Sequence, residues 1–182
     1  MRLEVRSQLV HAAKGGDPAD IERLLEAVWP DAYRLARAIV EQTQSAEDVA
    51  QEACVIMFRN IATLRNPDAF PTWFYRVVLR EALKHKKAQM TSMMLSDNAA
   101  YYEDCSASLD LWRALATLPE RLRTVIVLHY FEDLSSREIG KIIRTPEATV
   151  RFRLMTARRR LQPLLQERES SPHSKGEGIY AL

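Results

Sequence analysis

Residues 134–161, LSSREIGKIIRTPEATVRFRLMTARRRL, hold two short amphipathic helices with a break between them. Ser135 or Ser136 can cap the first, with Glu138 placed to answer the cap. Leu134, Ile139, Ile142 and Ile143 fall on one side at helical spacing, and Gly140 suits the close approach of a second helix. The first helix should end near Arg144. Thr145-Pro146 then offers a new start, since a proline in the first helical turn lacks only an N–H that had no partner there. On the second helix Val150, Leu154, Ala157 and Leu161 form an apolar side, while Arg151, Arg153, Arg158, Arg159 and Arg160 occupy the other.

A short helix, a tight turn and a second helix with an arginine-rich side make the pattern of a helix-turn-helix, whose second member lies in a DNA groove. A solvated structural helix usually mixes both signs of charge. Here Glu147 is the only carboxylate between Arg144 and Arg160, and at the helix start it suits the dipole. Nucleic-acid binding is therefore the stronger reading.

Working outward, the 182 residues suffice for one moderate domain or two small ones, and 47% hydrophobic residues are ample for packed cores. The formal charge of +2 matters less than its distribution: besides the arginines above, Lys84-His85-Lys86-Lys87 forms a second basic run. Cys54 and Cys105 lie in dissimilar settings, and no ligand spacing joins them to the histidines, so neither a disulfide framework nor a metal site is expected. No run of about 18 apolar residues and no signal-peptide pattern occurs, which predicts a cytoplasmic protein without membrane insertion. Nucleophile-base pairs, paired carboxylates and phosphate-binding glycine loops are not found, so neither enzymatic chemistry nor a cofactor is expected.

From the N-terminus, a helix is expected over Leu3 to Ala13, closed by Gly15-Gly16-Asp17-Pro18. Ile21, Leu24, Leu25 and Val28 begin a second, and Trp29-Pro30 should break or kink the chain before Leu35, Ala36, Ile39 and Val40. Ser45-Ala46-Glu47-Asp48 reads as the next cap, opening a helix with Val49, Ala53, Ile56 and Met57 on one face and Asp48, Gln51, Glu52 and Arg59 on the other. Residues 65–69 read as a loop. The following helix, to about Lys87, should bury Trp73 and Val77, with Phe74, Val78 and Leu83 as further candidates, and stack Arg76, Arg80, Lys84 and Lys87 on one side. Rings beside a cation ridge also suit single-stranded nucleic acid, where bases stack and phosphates are held. Helical order lapses over residues 88–108. A short helix over Leu109 to Leu118 follows, then one opened by Pro119-Glu120 with Leu122, Val125, Ile126 and Leu128 or His129 inward.

The expected fold is all-α: two small helical domains, residues 1–87 and 109–165, joined by a flexible linker over 88–108 and followed by a polar tail over 166–182.

These segments carry a resemblance. The chain resembles, over about residues 17–165, a bacterial RNA polymerase sigma factor of the extracytoplasmic-function class, which retains only the second and fourth conserved regions of larger sigma factors. SAEDVAQEACVIMFRN is similar to the core-binding segment of region 2, and AFPTWFYRVVLREALKHKK to its melting and upstream-recognition segment. LPERLRTVIVLHYFEDLSSREIGKII with TPEATVRFRLMTARRRL resembles region 4. The resemblance implies that Asp48, Gln51 and Glu52 grip the clamp helices of core RNA polymerase, with its flap as a further contact. It implies that Asn66, Asp68 and Phe70 belong to the segment that captures a flipped base of the minus-ten element, with Arg76, Arg80 and Lys84 holding the DNA beside it. In region 4 it puts His129, Thr149, Arg151, Phe152, Arg153, Met155 and Arg158 at the minus-thirty-five element. Arginine would read guanine there, Phe152 or Met155 would meet a thymine methyl, and Arg158 with Arg159 would touch phosphates.

The implied function is promoter-specific transcription initiation, with core RNA polymerase, promoter DNA and an anti-sigma factor as partners. Departures from the family pattern are Arg144 where a glycine is frequent, Ala148, Phe152 and Thr156 in region 4, and Glu81 in region 2. Two other readings compete: a sigma-like protein that sequesters an anti-sigma factor, and a stand-alone helix-turn-helix regulator that binds a palindrome as a dimer.

Overall fold

The computed structural model of the chain describes residues 3–40, 42–95 and 108–169. Among them are eight helices and no strand: α1 (Leu3–Ala13), α2 (Pro18–Val40), α3 (Thr43–Asn60), α4 (Phe70–Leu95), α5 (Ser108–Ala116), α6 (Glu120–Tyr130), α7 (Ser136–Ile143) and α8 (Glu147–Glu169). Two short 3-10 turns, Ile61–Thr63 and Pro67–Ala69, lie between α3 and α4.

α2 is the central element. Leu24, Val28, Ala32, Leu35, Ala36 and Ile39 make a continuous apolar stripe at helical spacing, and α1, α3 and α4 pack on it. The helix continues through Pro30, so the chain is not broken into two helices at Trp29-Pro30. A proline inside a helix costs about 3 kcal/mol. Here buried residues on both sides of Pro30 share one stripe, so stopping the helix would expose the second half of it. α3 begins at Thr43 rather than at the Ser45 cap, and Ser45 is buried inside its first turn.

Two further boundaries differ from expectation. α4 continues to Leu95, so the first residues of the expected 88–108 linker are helical. Ala88, Gln89 and Met90 are good helix formers, and with neither glycine nor proline before Leu95 nothing locally stops the helix. Residues 96–107 of that linker lie outside the described residues. α8 likewise passes through Pro163 to Glu169, into what was expected to be tail, and residues 170–182 lie outside the described residues.

In the second group, α5 to α8 wrap a core of Val125, Leu128, Leu134, Ile139, Val150, Leu154 and Ala157. Arg123 is buried beneath it and donates to the Leu118 carbonyl at 3.0 Å, which satisfies a carbonyl just past the end of α5.

The two groups share one contiguous core. α6 packs across α2 and α7 against α4. Glu132, with its side chain 1% exposed, is the polar centre of this contact: Arg34 Nε donates to it at 3.0 Å and the Tyr75 hydroxyl at 2.7 Å. Around it Lys86 pairs with Glu120 at 2.7 Å, and the Arg37 guanidinium sits 6.0 Å from the Trp112 ring centre.

Candidate nucleic-acid interface

The helix-turn-helix forms as its residues dictate. Ser135 accepts from the Glu138 backbone N–H, and Glu138 Oε2 accepts from the Ser135 N–H at 2.9 Å, a complete capping box at the start of α7. Gly140 is required by the turn: a Cβ there would lie 2.7 Å from the Thr145 carbonyl oxygen. Arg144 ends α7 in the left-handed region, at φ 52° and ψ 50°, where glycine is the unstrained choice. On α8, Val150, Leu154, Ala157 and Leu161 face the core. Arg151 and Arg158 are exposed, as are Met155 and Phe152, the latter at 62%; Thr149 and Arg153 are half-buried. A ring exposed to that extent on a well-packed helix stabilises nothing within the chain, and is a candidate contact for another molecule.

These groups have few competing partners. Arg151 pairs with Glu147 one turn back. Arg158 lies 5.4 Å from the Tyr130 ring centre and 3.4 Å from His129 Nε2. His129 is turned inward: its Nδ1 lies 2.8 Å from the Leu134 carbonyl, so that nitrogen donates and Nε2 faces Arg158. Its Nε2 thus stands beside the exposed Arg158 guanidinium.

In the first group Asp48, Gln51 and Glu52 are exposed together on α3, backed by Val49, Ala50 and Ala53 in the core. Phe58, 54% exposed and two turns beyond Gln51, extends this face with a ring. Spacing from Gln51 could have revealed it.

Asn66 and Asp68 are exposed in the segment before α4, where Asn66 accepts from the Asp68 N–H at 3.0 Å and caps the turn. Phe70 is 1% exposed and stacked on Phe74 at 5.5 Å between ring centres, so in the free chain its ring lies covered beneath the segment. Phe74 and Val77 are buried as expected, Trp73 only partly, and Leu83 is exposed at 47%. Tyr75 occupies the interior in its place, because the contact with the second group covers its side of α4.

Arg76, Arg80, Lys84 and Lys87 do line one exposed side of α4. Arg76 is engaged, donating to the Lys141 carbonyl at 2.5 Å. Glu81 is buried beneath the ridge and accepts from Arg80 at 3.0 Å and Lys84 at 3.2 Å. Burial pushes its carboxyl up, but the hydrogen bonds and charges of Arg80 and Lys84 outweigh that and hold it below its ordinary value. This departure from the family pattern thus points inward. An open groove of about 880 Å³ is lined by α4 and by α6 to α8: Trp73, Leu79, Leu83 and Ile143 give apolar surface, Arg76, Arg80, Arg121, Arg144 and Arg153 cations, and Glu120 a carboxylate.

Among the described residues no helix is long and apolar enough to cross a membrane. Cys54 is buried, which raises its thiol to about 11 and keeps it protonated.

Comparison with known proteins agrees with this geometry. Residues 24–91 match the sigma-70 region 2 family and residues 108–161 the sigma-70 region 4 family. The chain is 31% identical over 188 residues to the RNA polymerase sigma-H factor of Pseudomonas aeruginosa, covering 90% of this chain and 97% of that one. It is 34% identical to the sigma factor SigV of Bacillus subtilis over 132 residues, 70% of this chain and 80% of the relative. To the ECF sigma-E factor of Escherichia coli K12 it is 31% identical over 143 residues, 65% and 75% of the two chains. Among solved structures, the sigma factor RpoE of Bartonella quintana with the anti-sigma factor NepR superposes with a TM-score of 0.69 at 22% identity, over 81% of this chain and 97% of that one. CnrH with the cytosolic domain of CnrY gives 0.67 at 20% identity, over 89% and 97%. These two show a shared fold. The chain belongs to the extracytoplasmic-function family of RNA polymerase sigma factors, and its function is promoter-specific initiation of transcription.

Proposed function

We propose that three exposed faces divide this work. Asp48, Gln51 and Glu52 on α3 grip the clamp helices of core polymerase, and α5 to α8 contact its flap. Asn66 and Asp68 present the pocket for an extruded minus-ten base, while Arg76, Arg80 and Lys84 hold the neighbouring DNA. α8 enters the major groove of the minus-thirty-five element, where Arg151 and Arg153 read bases, Phe152 and Met155 meet thymine methyls, and Thr149 and Arg158 contact the backbone. On this reading residues 1–87 and 109–165 are the two functional modules, and the chain acts in the cytoplasm by binding, with no catalysis or cofactor of its own.

The observation that carries the reading is the outer side of α8: exposed Arg151, Phe152, Met155 and Arg158 set against a fully packed inner side. A protein that only sequestered an anti-sigma factor would have no use for a cationic groove-reading side, so the initiation reading stands ahead of that one. Arg76 gives one of its five N–H groups to the Lys141 carbonyl, so parting α4 from α7 would free that donor for a DNA strand. An anti-sigma factor is the proposed regulator, and the arginine-rimmed apolar groove beside α4 suits an acidic amphipathic helix.

The test is run-off transcription with purified core polymerase on a genomic promoter library. Replacing Arg151 and Arg153 together by alanine should lower promoter-specific transcripts at least about 30-fold, two base contacts being worth about 1–3 kcal/mol each, with core binding unchanged. Loss of core binding in that variant, or no specific transcript from the parent chain, contradicts the proposal.

A further inference from the structure

Residues 64–69, between the first 3-10 turn and α4, form a short and largely exposed segment whose own bonds are few: Asn66 accepts from the N–H groups of Asp68 at 3.0 Å and, through its carbonyl, of Ala69 at 3.1 Å. Its position is set from outside, by α1. The Ser7 hydroxyl donates to Asp68 Oδ1 at 3.0 Å, and Lys14 Nζ donates to the Leu64 carbonyl at 2.6 Å. The contacts bridge 61 and 50 residues of sequence, and they grip the segment near both of its ends. α1 is itself immobilised, because Val10 and Ala13, between Ser7 and Lys14, are buried against the core. A cleft of about 450 Å³ adjoins the helix and the segment, lined by Ser7, Gln8, Asp68 and Phe70 and also by Leu134, Glu138 and Ile142 of the second group.

We propose that α1 is a positioning element for base capture: Ser7 and Lys14 hold residues 64–69 in the shape that receives an unpaired base. The inference rests on the reading of that segment as the base-capturing one. Extruding a base from the stack is costly, and a segment that had to order itself at the same moment would add its own conformational entropy. Two hydrogen bonds from a packed helix remove that second cost in advance, as pre-organisation does at any binding site. Ser7 acts through the Asp68 carboxylate, whose rotamer it fixes, and Lys14 through the backbone at the segment's entry.

The test uses holoenzyme assembled from the full chain and core polymerase, with a non-template oligonucleotide carrying 2-aminopurine at each minus-ten position in turn. Fluorescence rises where the base is unstacked. Ser7→Ala and Lys14→Met should each weaken the flipped-base signal and oligonucleotide affinity about 2- to 10-fold, the scale of one net hydrogen bond. Ser7→Thr and Lys14→Arg, which keep a donor, should restore both. Binding to minus-thirty-five duplex, core binding and the thermal midpoint should not move. Unchanged signals in Ser7→Ala and Lys14→Met, with a reduced signal in Asn66→Ala, would overturn the role of α1 and leave the base-capture reading standing. An unchanged signal in Asn66→Ala as well would remove both.

Discussion

α4 and α8 both carry cations along one side, and they hold them differently. On α4 the ridge is tied into the protein: Arg76 bonds the Lys141 carbonyl, and Arg80 and Lys84 share the buried Glu81 carboxylate. On α8 the cations stand over a conventional core-facing stripe, with Arg151 paired to Glu147 of its own first turn and Arg158 resting on Tyr130. An exposed i,i+4 pair is worth little and yields readily to a phosphate. The difference teaches that the two cationic sides are not equally available in the packed molecule. Arg151 and Arg158 of α8 stand exposed, whereas Arg76 of α4 is engaged by α7 and Arg80 and Lys84 by Glu81.

The largest way to break this asymmetry is to remove the polar centre of the contact. Glu132→Ala takes away the acceptor shared by Arg34 and Tyr75 and should destabilise the packed form by about 3 kcal/mol, as loss of one partner from a buried ion pair does. Urea unfolding measures the loss, and small-angle scattering should show a larger radius of gyration. A variant as compact and stable as the parent would mean that the apolar contacts between α2 and α6 suffice.

A smaller change sharpens the α8 side. Arg144→Gly relieves the left-handed backbone at the turn and should stabilise the chain by up to about 1 kcal/mol, since the 1–2 kcal/mol relieved is partly offset by the flexibility of glycine in the unfolded chain. A gain in thermal midpoint with weakened promoter binding would show that the arginine is kept for its charge at the groove rim. Destabilisation would show that its side chain supports the turn.

The smallest effect concerns the α4 ridge. The Glu81 carboxyl is held below its ordinary value, so the stability it contributes is present above the ordinary carboxylate range and is lost as pH falls through the lowered folded value. Acid titration of wild type against Glu81→Gln, followed by circular dichroism, should give curves that separate at neutral pH and converge in acid. Parallel curves would mean that Arg80 and Lys84 gain nothing from Glu81.

Much was legible in the chain because it is set locally. The capping box at Ser135, the inward stripe of α7, the amphipathic character of α8 and the exposed Asp48-Gln51-Glu52 face all follow from residues within two turns of one another. Phe58, seven residues beyond Gln51, belongs to the same spacing. The family, too, was readable from four short segments in order.

What the sequence alone determined, then, is which helices form, which side of most of them is apolar and where the cations lie, because helical periodicity and capping are properties of neighbouring residues. Only the tertiary structure decided the rest. It carried α2 through Pro30, put Phe70 beneath the loop instead of upon it, turned His129 and Glu81 inward, and bound α1 to the segment before α4. The farthest of these partners are the α1 residues, 61 and 50 positions from the segment they hold, and Arg34 meets Glu132 across 98. Local spacing carries no information about such partners, and shared burial is what brings them together.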